Sequence, residues 1–437
     1  MPPMPVTLKH TKAMSLNRNG ILLKAALAAL LFLPLCCTKE GTDNGAIVEK
    51  VIGISMAEPA QTKAVLHQYD TSEVKHPVAW KTGDRIWCYS ESGIYMDYTL
   101  TGDDLSSDGY LGKKAKAHIV YRYGDEWVTC YSKGPSIGDY IGARKEKLLV
   151  LENGIPREQT GRFDDTHVCI VRSHPDTTDY VFENVQSYLR FELTEPGGAG
   201  IRNGKLMDQY VTKITVHSLT PGQIMAGDLR IIDEAGWRTI LQDRGEPADS
   251  VITVIPSGGH FEPASATFDG HYFVAVPVRR YANGIRLNMY TDNGAAKGYV
   301  DLPATTITKN YILNCHDLLK FCAIYVDALS FKYGQDENVA EISIVAGHSG
   351  RLRAVISPET ATDKALLWEL EGDDETVCTV AQDGTVTALA SGIGHSCTVR
   401  CTAKDRGTVS NTVTVSVVPD ASVNPGGYDV PDPFVWQ

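Results

Sequence analysis

The 437-residue sequence predicts an all-β protein built of packed sandwiches, and three observations predict it. From residue 46 onward, short runs rich in Val, Ile, Tyr and Thr recur between clusters of Gly, Pro, Asn and Asp, the punctuation of strands and turns. Within those runs polarity alternates. In Leu189-Arg190-Phe191-Glu192-Leu193 the apolar side chains share one face and the charges the other, the period of a strand with one buried side. No stretch sustains a helical period, and residues 314–321 have room for one helical turn at most.

Taken in order, strands are expected at 47–56, 80–89, 148–151, 188–193, 211–218, 272–278 and 285–290. The last runs into Asp292-Asn293-Gly294, a turn signal in which Gly tolerates positive φ. Short strands at this spacing imply sandwiches. Lys plus Arg number 41 against 53 Asp plus Glu, a net charge of −12 that argues against nucleic-acid binding. Hydrophobic residues at 43% and charged residues at 22% are ordinary for a globular chain, and the length suggests about three domains at roughly 150 residues each.

Residues 1–37 read as an export signal. Lys9, Lys12, Arg18 and Lys24 precede a run from Ala25 to Cys37 that is apolar apart from one Pro, too short for a bilayer span of about 20 residues. Met14 is an alternative start to Met1. The run ends Leu33-Pro34-Leu35-Cys36-Cys37-Thr38-Lys39-Glu40, which resembles a bacterial lipoprotein signal. The resemblance implies lipidation at Cys37, behind the small Cys36, with Cys36 behind bulky Leu35 as the alternative. Each buried methylene of an acyl chain contributes about 0.8 kcal/mol, so a membrane anchor follows. Lys39 and Glu40 resemble the charged surface-export signals of such lipoproteins, which implies the cell surface.

Eight cysteines remain (Cys88, Cys130, Cys169, Cys315, Cys322, Cys378, Cys397 and Cys401), too few for a disulfide scaffold of this length, and spacing alone does not pair them. Cys397 and Cys401 share a strand face but lie too far apart along it to bond each other. Buried free thiols are the expectation.

Gln61-Thr62-Lys63-Ala64 followed by Pro77-Val78-Ala79-Trp80-Lys81-Thr82-Gly83-Asp84-Arg85-Ile86-Trp87 resembles the opening of fimbrillin-like proteins, the lipoprotein pilins and surface adhesins of anaerobic Gram-negative bacteria. Gly154-Ile155-Pro156-Arg157-Glu158-Gln159, Val181 to Phe191, Val211 to Val216 with Met225 to Leu229, and Phe273 to Val278 keep that family's order. The resemblance implies two tandem transthyretin-like β-sandwiches, at 46–178 and 179–322. Residues 323–419 resemble the bacterial Ig-like group 2 domain through Leu352 to Pro358, Ala361 to Trp368, Asp383 to Gly392 and Val413 to Val417. There Asp383-Gly384 would make a hairpin turn and Pro358 end a strand. Residues 420–437 form a Pro-rich tail, unsuited to a central strand. Trp80, Trp87 and Trp368 are the expected core anchors.

No catalytic, cofactor-binding or metal-ligating residue is assigned. Gly347-His348-Ser349-Gly350 lacks the Gly that a nucleophile elbow needs two residues after its Ser, where Arg351 stands. The pairs Asp103-Asp104, Asp164-Asp165 and Asp373-Asp374 read as solvated loop carboxylates rather than calcium ligands, and His217 and His271 as packed or solvated residues.

Fimbrillin-like pilins polymerise when a protease cuts after an Arg and frees the first strand, opening a groove for another subunit's strand. Here no Arg stands between Cys37 and Arg85, which leaves Lys50 and Lys63 for a Lys-specific protease, and the Ig-like unit occupies the place of a donor strand. The expectation is a non-enzymatic, lipid-anchored surface protein of the outer membrane, acting in adhesion as an accessory, anchor or tip component of a fimbria-like assembly. Its partners would be other fimbrial subunits, by strand addition, and an unidentified host or bacterial surface ligand. The alternative is a surface polysaccharide-binding lipoprotein with an Ig-like spacer. Mass spectrometry of the mature N-terminus is expected to show an acylated Cys37; an unmodified N-terminus downstream of it would remove the anchor from this reading.

Overall fold

The structure, a computed structural model, describes residues 45–56, 61–64, 80–106, 114–139, 148–193, 205–207, 209–233, 237–242, 245–262, 270–292, 294–309, 311–315, 318–372 and 374–420. Cys36, Cys37 and the rest of the expected signal, together with tail residues 421–437, lie outside them. Nearly all regular structure is β. The first ten strands are β1 (Ile47–Met56), β2 (Gln61–Ala64), β3 (Arg85–Ser90), β4 (Tyr95–Thr99), β5 (Lys114–Arg122), β6 (Val128–Lys133), β7 (Leu148–Ile155), β8 (Glu158–Gln159), β9 (Val168–Ser173) and β10 (Asp179–Asn184).

Seven of these form one sheet in the order β4-β3-β6-β9-β10-β1-β5. β1 is an inner strand, antiparallel to β5 from Ile47 to Ser55 and parallel to β10 from Gly53 to Met56. β5 shows why alternation builds the layer. Ala115, Ala117, Ile119 and Tyr121 are buried while Lys114, Lys116 and Arg122 are exposed. β5 packs back over β3 and β4, so the sheet closes on an interior of Ile52, Ile54, Ile86, Tyr180 and Phe182.

The middle of that sheet is buried on both faces. Ile86, Cys88, Cys130 and Val171 point into the first interior, whereas Tyr89, Tyr131, Val168 and Ile170, the alternate positions of the same strands, enter a second and larger core. Each large side chain buried this way contributes about 1.5–3 kcal/mol. Arg172 of β9 crosses to that side too. Its Nε donates to Thr129 Oγ1 at 2.9 Å, its Nη1 to Asp233 Oδ2 at 3.0 Å, and its guanidinium lies 4.3 Å from the Trp127 ring centroid.

Three sheets enclose the second core. In one, Tyr272–Val276, Ser187–Phe191, Tyr311–Cys315 and β2 lie side by side; in another, Ala323–Ile324, Gly298–Leu302, Ile285–Tyr290, Lys213–Ser218, Val251–Val254 and β8; in the third, Trp237–Gln242, Gly227–Asp233 and β7. The sheets therefore do not divide at residue 179. β2, β7 and β8 pair with later strands, and β10 pairs with β1 and β9, because strand pairing is non-local and the alternation within a strand carries no record of its partner. Buried Gln159 of β8 fastens two of these sheets. Its Nε2 donates to the Ala275 carbonyl at 3.0 Å while its Oε1 accepts from the Ala275 amide at 2.9 Å.

The C-terminal unit is a sandwich of a five-stranded sheet (Asp336–Glu337, Ala328–Tyr333, Ser349–Ser357, Thr385–Ala388, Cys378–Val380) and a four-stranded sheet (Glu341–Val345, Ser410–Val418, Ser396–Ala403, Leu366–Leu370). The disulfide Cys378–Cys397 joins the two, which corrects the expectation of free thiols for this pair. The partners come from different sheets, so spacing could not reveal them.

The junction to this unit is locked. Tyr325 Oη donates to Asn288 Oδ1 at 3.1 Å, and Lys297 Nζ holds both carboxylate oxygens of Asp327 at 2.9 and 2.8 Å. From the C-terminal unit Arg406 reaches across to the Ala296 carbonyl at 2.5 Å, and within its own unit it donates to the Val326 carbonyl at 2.9 Å, while the Val326 amide donates to Asp405 Oδ2 at 2.6 Å. Arg406→Ala is expected to destabilise the protein by about 2 kcal/mol, the scale for hydrogen bonds to a charged group, in urea unfolding. It should also broaden the distance distribution in small-angle scattering; an unchanged profile would mean that the clamp does not fix the joint.

Candidate functional site

The stretch Trp80-Lys81-Thr82-Gly83-Asp84-Arg85-Ile86 forms a corner. Asp84 N donates to the Lys81 carbonyl at 3.1 Å, and Asp84 Oδ2 accepts from the Lys81 amide at 2.9 Å. Gly83 takes φ +93°, which an L side chain rarely adopts. The turn is tied to the end of β4 by hydrogen bonds from Gly83 N to the Leu100 carbonyl and from Leu100 N to the Asp84 carbonyl. Trp80 is buried, edge-on to Phe182 with centroids 5.0 Å apart. Trp87 is half-buried, stacked on Tyr131 at 5.4 Å with Arg85 and Lys133 within 5.2 Å of its ring.

Beside this corner lies a cleft of about 520 Å³, lined among others by Lys81, Asp84, Lys133, Asp164 and His167. Its charges are largely consumed internally. Lys81 pairs with Asp164, Thr160 Oγ1 donates to Asp165, and Lys133 Nζ donates to the Ile137 carbonyl at 2.8 Å. Burial lifts the Asp84 carboxyl above its usual range, partly offset by the Lys81 amide. Burial also holds His167 below the ordinary histidine value, against the Asp164 carbonyl 3.1 Å from its Nδ1. The cleft offers a polar wall with a covered aromatic, an arrangement able to take a small polar group. It does not align a nucleophile with a base.

The other residues singled out by sequence are dispersed. Trp368 is buried against Phe331, and its backbone is bracketed by the Gln382 amide, whose Nε2 donates to the Trp368 carbonyl at 2.7 Å. Gly384, at φ +84° in the Asp383-Gly384 turn, passes so close that an added Cβ would lie 2.5 Å from the Leu352 carbonyl oxygen and 3.0 Å from Trp368 Cζ2. Lys50 sits within β1, its Nζ donating to the Pro175 and Thr177 carbonyls at 2.8 and 3.3 Å. Lys63 lies in β2, paired with Tyr311–Cys315; its side chain is outside the described residues. Asp104 caps its own turn, accepting from the Thr101 amide at 2.7 Å and from Tyr98 Oη at 2.8 Å. Ser349 Oγ is 2.8 Å from Thr387 Oγ1, and His348 Nδ1 faces the Ala346 carbonyl, so the two do not form a catalytic pair. His217 is half-buried with its pKa lowered by burial, and His271 Nε2 lies 2.6 Å from Arg190 Nη2 and 3.2 Å from Glu192 Oε2. Asp373 and the Asp374 side chain lie outside the described residues. Among the described residues no three His, Cys, Asp or Glu side chains group within reach of one metal ion.

Sequence reasoning missed Arg172 and Arg406. Arg172 follows the apolar run Val168-Cys169-Ile170-Val171 and Arg406 sits in a polar turn after Lys404 and Asp405, and only their partners, Asp233 in one case and two carbonyls in the other, give them a role.

The inter-sheet disulfide, the buried Trp368 and the two-sheet order describe an Ig-type sandwich. Residues 338–415 match the bacterial Ig-like domain (group 2). No curated protein matches the chain. Among solved structures, a protein from Bacteroides ovatus proposed to act in cell adhesion is 11% identical, with 63% of this chain and 95% of that chain covered at a TM-score of 0.36. A fimbrial assembly protein from Parabacteroides distasonis is 9% identical over 62% and 91%, at 0.27. A further protein proposed to act in cell adhesion, from Bacteroides eggerthii, is 10% identical over 62% and 88%, at 0.28.

His167 gives the cleft a pH signature. Its folded pKa lies below the ordinary 6.5, so its contribution to stability is full above that pH and is lost as pH falls through the folded value, where the unfolded chain takes a proton first. His167→Gln should flatten the decline in urea midpoint below pH 6.5 relative to wild type; parallel pH profiles would refute the assignment.

Proposed function

We propose that the chain is a non-enzymatic, lipid-anchored cell-surface protein acting in adhesion, as an accessory, anchor or tip component of a fimbria-like assembly. The observation that carries this reading is the locked junction between Ala296 and Asp327, where Arg406 and Lys297 fix the Ig-like unit on the preceding sandwich. A joint closed by several charge-assisted hydrogen bonds transmits load and presents the distal unit at a set angle, which suits an adhesin and is unnecessary in a flexible spacer.

The resemblance of residues 50–315 to fimbrillin-like proteins supplies the assembly part of the proposal, and the Cys37 signal the anchor. Strand addition remains the proposed mode of contact with other subunits. Cleavage after Lys50 or Lys63 enters only as a step that first unzips β1 or β2, since a protease needs an extended chain and both lysines lie in hydrogen-bonded strands. This favours an accessory or terminal position over a repeating stalk subunit. The covered ring of Trp87 speaks against a sugar platform at the motif cleft.

Cross-linking on intact cells followed by affinity purification of the tagged full chain is expected to recover pilin-like subunits. Recovery of none, together with retardation by a soluble glycan in affinity electrophoresis, would replace this reading with the polysaccharide-binding one.

A further inference from the structure

Cys88 of β3 and Cys130 of β6 stand directly opposite each other in an antiparallel pair. Their place in the ladder follows from a neighbouring bond. The Glu91 amide donates to the Trp127 carbonyl at 3.1 Å, which makes 91 and 127 a hydrogen-bonded pair. Such pairs alternate with non-hydrogen-bonded ones, so 88 and 130, an odd number of steps away, occupy a non-hydrogen-bonded position where Cα atoms approach to about 4.5 Å and side chains stand closest. Disulfides span Cα separations of about 4.4–6.8 Å. Both side chains point into the first interior, at 1% and 0% exposure, and both are free thiols in this structure.

A third thiol, Cys169, lies in the same interior but opposite Ser132, while Cys130 faces Val171. It neighbours Cys130 only on the diagonal, at about 7–8 Å, beyond disulfide reach. The chain's own Cys378–Cys397 bond belongs to an oxidising compartment.

We propose that Cys88 and Cys130 are a second disulfide site, closed during folding by exchange with a small external disulfide such as oxidised glutathione. Cys88 gives up its proton, and its thiolate attacks one glutathione sulfur, expelling the other half as a thiolate. Cys130, deprotonated in turn, attacks the Cys88 sulfur of the mixed disulfide and expels the second glutathione thiolate. Two protein thiols are oxidised, one glutathione disulfide is reduced to two glutathione thiols, and the two protons end on the leaving groups. Burial raises the Cys130 thiol well above its ordinary value, so exchange belongs to the open chain and the finished bond is sheltered from reductant. The covalent ring it closes contains β4 and β5, the two edge strands of the seven-stranded sheet.

The test is a peptide map of the exported full-length protein, denatured at lysis without reductant in the presence of iodoacetamide. The Cys88 and Cys130 peptides should be recovered joined to each other and free of alkylation, as the Cys378 and Cys397 peptides are, while Cys169, Cys315, Cys322 and Cys401 are alkylated. Alkylation of both Cys88 and Cys130, or linkage of either to Cys169, would overturn the inference.

Discussion

The burial of β3, β6 and β9 on both faces is the constraint on which the rest of the first two units depends. In a strand successive side chains leave opposite faces, so Ile86 and Cys88 pack one core while Trp87 and Tyr89 pack the next. A shift of register by one residue would exchange the two sets and fill neither core. Two sandwiches that share a sheet in this way cannot move independently, and Arg172, placed between Trp127 and Asp233, closes the polar side of the same contact.

The Ig-like unit is attached by different physics. Its interface with the preceding sandwich is carried by the Lys297–Asp327 pair and by Arg406 on the Ala296 carbonyl, whereas its own interior is apolar around Trp368, Phe331, Val399 and Val415. A polar joint is directional where an apolar one is not, so the hydrogen bonds define an angle as well as an attachment. Combined with the fused cores upstream, these contacts join the described parts of residues 47–420 through an unbroken series of packed and hydrogen-bonded elements. That continuity is what the adhesion proposal uses.

The motif corner shows how family-like sequence signals divide into turn chemistry and site chemistry. Gly83 and Asp84 are explained by the turn, Trp80 by the core and Trp87 by Tyr131 and its two cations. What is left to the cleft is the balance among Lys81, Asp164, Asp84 and His167, which is electrostatic and largely neutralised in place.

The sequence by itself determined what depends on near neighbours. Strands at Ile47–Met56 and Ile285–Tyr290, the single turn Leu318–Phe321 and the Asp383-Gly384 hairpin were legible because alternation and turn residues act over a few positions. β5 was harder to see, since two of its four buried positions are alanines and its first half carries little apolar contrast. Only the tertiary structure decided which sheet each strand joins: β7 and β8 with the strands after residue 213, β10 with β1, and Cys378 with Cys397. Pairing is set by contacts between segments far apart in the chain, and a pattern with a period of two is the same whichever strand lies alongside.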